Sequence, residues 1–226
     1  MKKKHLESFL SAIETFQNPK VRLEQYSTGI ELAEAILSSI YDEECIDNCA
    51  VADLGCGCGI LLLGAVKLGA RYGVGVEIDE EAIKICRNNL KHCQLENCVD
   101  IICLDVTKNI TALMPVFDTV IMNPPFGTKN NAGFDFAVNL GIDLQFVEAG
   151  FSLLKQGGKL FSLHKSSTRH HIKKFADRKK KRGISGECIA ELVWDLPATY
   201  VYHKRQSVDI QVDLWRFSVD SEASAT

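Results

Sequence analysis

The sequence holds no stretch near the roughly 18 uninterrupted apolar residues of a membrane-spanning helix. Nor does it open like a secretory leader, because Met1-Lys2-Lys3-Lys4-His5 runs into mixed polar residues. Tight C-x2-C knuckles are missing, so the cysteines do not form the pattern of a structural zinc site, and no metal is expected in this chain. The cysteine count, nine, is odd, which argues against a disulfide framework; the expectation is reduced thiols in the cytosol or nucleus. Most are expected to act as small buried hydrophobes, including Cys56, Cys58, Cys86 and Cys103. A strong positive balance is also lacking. The net charge is -3, so any nucleic acid must be met by a local patch. There is no internal repeat.

What is present reads as one globular domain over residues 1–226, large enough to bury a core without staples. Residues 1–28 form a polar lead-in with a short helix. From Ile30, the positions Ala33, Ile36, Leu37, Ile40 and Tyr41 fall on one helical face. An alternation of strands and helices follows. Strands are expected at Cys49–Leu54, Tyr72–Ile78, Val99–Leu104, Phe117–Met122 and Lys159–His164. Helices are expected at Ile60–Leu68, Glu80–Cys93 and Ile142–Leu154, the last stopped by Gly157-Gly158, and a basic helix follows His164. Cys188–Leu196 and Val208–Phe217 read as a terminal antiparallel hairpin, and 219–226 as a disordered tail. The fold class is α/β: a doubly wound, mostly parallel seven-stranded sheet closed by that hairpin.

Two loops carry the chemistry. Asp53-Leu54-Gly55-Cys56-Gly57-Cys58-Gly59-Ile60 runs from a strand into a helix, with glycines that permit a tight turn and close approach to a ligand. A dinucleotide loop spaces its last two glycines by two residues; here the spacing is G-x-G-x-G after an acidic residue. This arrangement resembles the class I methyltransferase superfamily, whose Rossmann-like domain wraps the amino-acid part of S-adenosyl-L-methionine in that loop. Glu77 ends the next strand, where a carboxylate can accept both ribose hydroxyls. Asp105 ends the third and can accept the adenine amino protons of such a cofactor. Asp53 can help anchor its ammonium. The alternative for Asp79 and Asp105 is a plain helix or turn cap.

Asn123-Pro124-Pro125-Phe126 follows the strand Phe117–Met122, so it lies beyond a strand's carboxyl end, where such sheets bind ligands. The two prolines remove two backbone donors and stiffen the loop. What remains is a set of acceptors, the Asn123 side-chain oxygen and nearby carbonyls. An amino nitrogen with a delocalised lone pair needs such acceptors to become pyramidal and attack, and fixed dipoles stabilise the charge it then develops. Phe126 can stack on a planar substrate. The tetrapeptide resembles the (Asp/Asn/Ser)-Pro-Pro-(Tyr/Phe/Trp) signature of amino methyltransferases, which act on adenine N6, guanine N2 or glutamine N5.

Longer strings narrow this. Leu23-Glu24-Gln25-Tyr26-Ser27-Thr28, Asp118 to Asn131, Ser162-Leu163-His164-Lys165-Ser166-Ser167-Thr168-Arg169, Asp195-Leu196-Pro197-Ala198-Thr199-Tyr200 and Ser207 to Leu214 occur in order. Together they resemble the eukaryotic methyltransferase-like protein 5 family. The resemblance implies N6-methylation of one adenosine in 18S ribosomal RNA, in nucleolus and cytoplasm. It also implies a heterodimer with a small zinc-binding activator subunit, the zinc belonging to the partner. Carried over by motif, the cofactor residues are Gln25, Thr28, Gly55, Cys58, Ile60, Glu77 and Asp105, joined from the loop itself by Asp53, Gly57 and Gly59, with 1–28 as a cofactor lid. Glu77 stands where the family often has Asp, Ser27 replaces a common proline, and 132–140 looks like an insertion. The residues expected to contact RNA are Lys129, His164, Lys165, Arg169, Lys173 and Lys174; a solvated helix face is the alternative for the basic block. The competing functional readings are a glutamine N5 protein methyltransferase and a non-catalytic cofactor-binding scaffold.

Overall fold

A computed structural model of the protein describes residues 3–110, 114–127, 140–197 and 207–221. Helix α1 (Lys3–Leu10) and α2 (Ile30–Asp42) precede strand β1 (Ala50–Leu54). Then come α3 (Ile60–Lys67), β2 (Tyr72–Glu77), α4 (Glu80–Cys93), β3 (Val99–Cys103), α5 (Val106–Asn109) and β4 (Phe117–Met122). The chain continues through α6 (Ile142–Phe151), β5 (Leu154–Lys165), α7 (Arg169–Lys179), β6 (Ile184–Pro197) and β7 (Ser207–Val219). The strands form one sheet in the order β3-β2-β1-β4-β5-β7-β6. The first five run parallel; β7 lies antiparallel to both β5 and β6.

Residue alternation sorts side chains onto the two sheet faces. Val51, Ile121, Phe161 and Leu163 pack with α1, α2 and α3. Ala52, Leu54, Val120, Met122 and Leu160 pack on the other face with α6 and α7. Every residue of β1 is buried, as expected for a central parallel strand covered on both faces. The strand order reverses between β1 and β4, and such a switch point opens a crevice at the strands' carboxyl ends. Both expected loops, after β1 and after β4, leave the sheet there.

Four expectations need correcting. The helix from Ile142 stops at Phe151, not Leu154, because Leu154 already pairs with Phe117 in the sheet. Gly157-Gly158 therefore sit inside β5, where the register shifts; a Cβ on Gly158 would lie 2.9 Å from the Lys155 carbonyl oxygen. Tyr41 and Cys103, read as buried, are exposed. Val219 and Asp220, expected in a disordered tail, are ordered: Val219 pairs with Ile184, and the Asp220 amide donates to the Gly183 carbonyl at 2.8 Å. Residues 222–226 lie outside the described set.

Candidate active site

The turn after β1 uses its glycines as expected. Gly55, Gly57 and Gly59 all have positive φ, at 73°, 53° and 94°. A side chain at Gly57 would also be crowded, since its Cβ would lie 2.9 Å from the Phe16 ring. Gly59 plays a different part from the other two. It is off the cavity wall and backs the turn, where a Cβ would lie 2.6 Å from Cys86 Sγ. In front of the loop is a cavity of about 720 Å³, within the range of small-molecule sites. Its wall includes Gln25, Thr28, Asp53, Gly55, Gly57, Cys58, Ile60, Glu77, Asp105, Asn123 and Pro125.

Three of the carboxylates that line this space, Glu77, Asp105 and Asp53, are in different states. Glu77 Oε2 accepts the Gly57 amide at 2.9 Å, and Oε1 accepts the amides of Ile78 and Asp79 at 2.8 and 2.9 Å. Burial still pushes its carboxyl above the ordinary value, despite those bonds. Asp105 caps α5: Oδ1 accepts the Thr107 amide at 3.0 Å, and Lys108 pairs with Oδ2 at 2.8 Å. Lys108 and Thr107 hold its carboxyl below the usual range. The cap reading of Asp105 is thus correct, and the residue lines the cavity as well. Asp53 is 2 % exposed and accepts one bond, from the Leu62 amide at 3.1 Å. Burial, with the nearby Glu77 charge, raises its pKa from 3.8 to about 7. A carboxyl with a raised folded-state pKa stabilises the fold fully below its unfolded pKa and loses that contribution as pH rises through the folded one. Asp53→Asn is therefore expected to gain stability relative to the unsubstituted protein between about pH 4 and pH 7, measured by denaturant unfolding at a series of pH values.

The lead-in forms one wall of the cavity through residues 10–16 and 22–30. It is pinned at two places. Asn89 on α4 accepts the Glu14 amide and donates to the Glu14 and Cys58 carbonyls, all at 2.9 Å. Asp79 caps α4 through the Glu81 amide, and also accepts from Lys20 Nζ and from Gln25 Nε2 at 2.6 Å. Burial opposes the Asp79 charge, but Lys20 and Gln25 hold its carboxyl below the ordinary value. Both side-chain ends of Gln25 are engaged, since its Oε1 accepts the Lys20 amide at 2.7 Å. Asn89, Lys20 and the second role of Asp79 were missed in the sequence, where only the cap at Asp79 had a local signal.

The loop after β4 supplies the opposite end. Asn123 Nδ2 donates to Thr28 Oγ1 at 3.0 Å. Asn123 Oδ1 is buried and has no hydrogen-bond partner among the described residues. Pro124 is buried and Pro125 lines the cavity. Phe126 is set off from the wall: its ring meets Trp194 edge-on at 5.9 Å, and Lys165 Nζ stands 5.4 Å from its centre. Its amide donates to Glu24 Oε2 at 2.9 Å.

The arrangement has close relatives. Residues 27–176 match the methyltransferase small domain model. The rRNA N(6)-adenosine-methyltransferase METTL5 of Danio rerio is 46% identical over 96% of this chain and 99% of its own. The chain belongs to the METTL5 family. The Caenorhabditis elegans rRNA N(6)-adenosine-methyltransferase metl-5 is 43% identical over 92% of this chain and 94% of its own. A Pyrococcus horikoshii crystal structure superposes with a TM-score of 0.80 at 30% identity, covering 99% of both chains. The METTL5 kinship and that superposition agree with the class I methyltransferase fold expected from the loops.

The residues expected to meet RNA divide sharply in this METTL5-family chain. Lys129 lies outside the described residues, as do 132–139 of the apparent insertion. Lys173 and Lys174 are exposed on α7. Lys165 is half-buried against Phe126, and burial pulls its ammonium below the ordinary value. His164 is not a surface contact. It is fully buried because alternation along β5 turns it into the core side of the sheet, where Nδ1 meets Asp143 Oδ2 at 3.0 Å. Arg169 is committed within the protein: it forks onto the buried Asp213 at 2.6 and 2.7 Å and pairs with Glu191 at 2.9 Å.

Proposed function

We propose that this chain transfers a methyl group from S-adenosylmethionine to N6 of one adenosine in 18S ribosomal RNA. Family membership supports rRNA adenosine as the substrate class. The observation that carries the chemistry is the buried, unpartnered Asn123 Oδ1 at the wall of the cavity. A buried acceptor without a donor is costly; an incoming amino group satisfies it.

The donor end fits the cofactor. Gly57 leaves room that a Cβ would fill, and Asp53 and Glu77 offer carboxylate oxygens near it. Gly55, Gly57, Cys58, Ile60 and Asp53 would hold the amino-acid part, Glu77 the ribose, and Asp105 the adenine. Gln25 and Thr28 would complete the wall, Gln25 by anchoring the lead-in and Thr28 by fixing the Asn123 amide. When bound, S-adenosylmethionine supplies an electrophilic methyl on a sulfonium. Asn123 accepts one amino proton of the substrate, and a carbonyl of the proline loop accepts the other. These fixed acceptors favour a pyramidal nitrogen and stabilise its developing charge without reorganisation. The base must leave its own stack to enter, and Phe126, off the cavity wall against Trp194 and Lys165, fixes the end of the acceptor loop rather than lining the cavity. No strong base is required of this chain, because the nitrogen proton becomes acidic once the methyl is in place.

We further propose, from the resemblance of the sequence motifs alone, a heterodimer with a small zinc-binding activator and a nucleolar and cytoplasmic location. Of the residues expected to meet RNA, Lys173 and Lys174 are exposed and available to an RNA backbone. The test incubates the protein, with and without such an activator, with methyl-labelled cofactor and total RNA, then digests the RNA. Label in N6-methyladenosine of 18S rRNA is expected. Label in N2-methylguanosine, or in protein alone, overturns the reading. A monomer that is stable and fully active without the activator overturns the heterodimer.

A further inference from the structure

We propose that Glu24 is the positioning residue of the acceptor loop, holding Phe126 and, through it, the Asn123 amide in register with the substrate amino group. The inference rests on the functional reading above and adds a residue to it. Pro124 and Pro125 have no amide hydrogen. The first backbone donor after them is the Phe126 amide, and it donates to Glu24 Oε2 at 2.9 Å across 102 positions of sequence. A carboxylate acceptor makes this stronger than a bond to a neutral group.

The backbone at Glu24 adopts an unusual conformation. Glu24 has φ 49° and ψ 42°, the left-handed region that side-chain-bearing residues seldom occupy. It closes the short 3-10 turn Val21–Leu23 with its amide on the Val21 carbonyl at 3.1 Å. That turn carries the next residue, Gln25, onto Asp79, and three residues further Thr28 receives the Asn123 amide. Segment 24–28 thus touches the acceptor loop at both ends of Asn123–Phe126. The Phe126 ring is fixed on two further sides, by Trp194 and by Lys165. Removing the Glu24 oxygen frees the backbone at the end of a loop whose two prolines have no amide hydrogen with which to form a substitute bond.

Left-handed geometry supplies an informative variant. Glu24→Gly keeps that backbone conformation at no steric cost but has no acceptor; Glu24→Gln keeps an acceptor oxygen. In the RNA methylation assay, Glu24→Gly is expected to lower kcat by about tenfold or more, the effect of losing a hydrogen bond to a charged group. KM for S-adenosylmethionine and the melting temperature are expected to stay near those of the unsubstituted protein. Glu24→Gln is expected to recover most of kcat. Unchanged kcat in Glu24→Gly overturns the inference. So does a loss carried by cofactor KM or by melting, or one that Gln fails to rescue. If the unsubstituted protein labels no adenosine, the functional reading itself fails, which is a distinct result.

Discussion

Asn123→Ala is expected to lower kcat for RNA methylation by about 10²–10³, the cost of removing one preorganised charge-stabilising group. Affinity for S-adenosylmethionine should change little, because Asn123 faces the acceptor end and its Nδ2 reaches Thr28 rather than the glycine loop. Single-turnover kinetics with saturating cofactor, beside cofactor binding by calorimetry, separates the two quantities. Asn123→Asp retains an acceptor oxygen and is expected to keep more activity than the alanine variant. Undiminished labelling by Asn123→Ala would remove this side chain from the chemistry. A non-catalytic scaffold would show no labelling in either protein.

A comparable effect on the fold is expected from Glu77→Ala. The substitution strips an acceptor from three amides, and those of Gly57 and Asp79 are in buried bonds. Each buried donor left alone costs about 1–3 kcal/mol. Removing the carboxylate also relieves its own desolvation, so the net loss is expected near 2 kcal/mol. Urea unfolding without cofactor measures that term. The cofactor affinity is expected to fall as well, since the Gly57 turn and the proposed ribose acceptor are lost together. Glu77→Gln retains one oxygen for the Ile78 and Asp79 amides but sets an NH₂ group against the Gly57 amide. It should therefore fall between the alanine variant and the unsubstituted protein on both measurements.

Much of this architecture is legible in the sequence because its signals are local. Short apolar runs mark β1, β2 and β4 nearly to the residue; Asp79 marks a helix start; two prolines after an apolar strand mark the acceptor loop. What was not legible depends on partners far along the chain. Nothing near Asn89 announces that it will bind the Glu14 backbone 75 positions away, and nothing near Glu24 announces Phe126. The sequence points to His164 and Arg169 as RNA contacts because cations after a strand end suggest an exposed surface. The alternation of β5 buries the first, and Asp213 of the neighbouring β7 engages the second. Gly157-Gly158 was read as a helix stop because glycine pairs usually punctuate; here the glycines let β5 shift register beside Asp118. The terminal hairpin was recognised from its alternation, while its added length at Ile184 and Val219 depends on pairing between the two strands.

The three bonds of Asn89 bear on the timing of turnover. They tie the Glu14 backbone to the Cys58 carbonyl, so the lead-in wall and the glycine loop share one fastener. A molecule seated between them is expected to leave faster when that fastener, or the Asp79 anchor, is loosened. Chemistry at Asn123 and the departure of the spent cofactor are then governed by different residues, and a faster acceptor loop alone would not yield a faster enzyme once departure sets the pace.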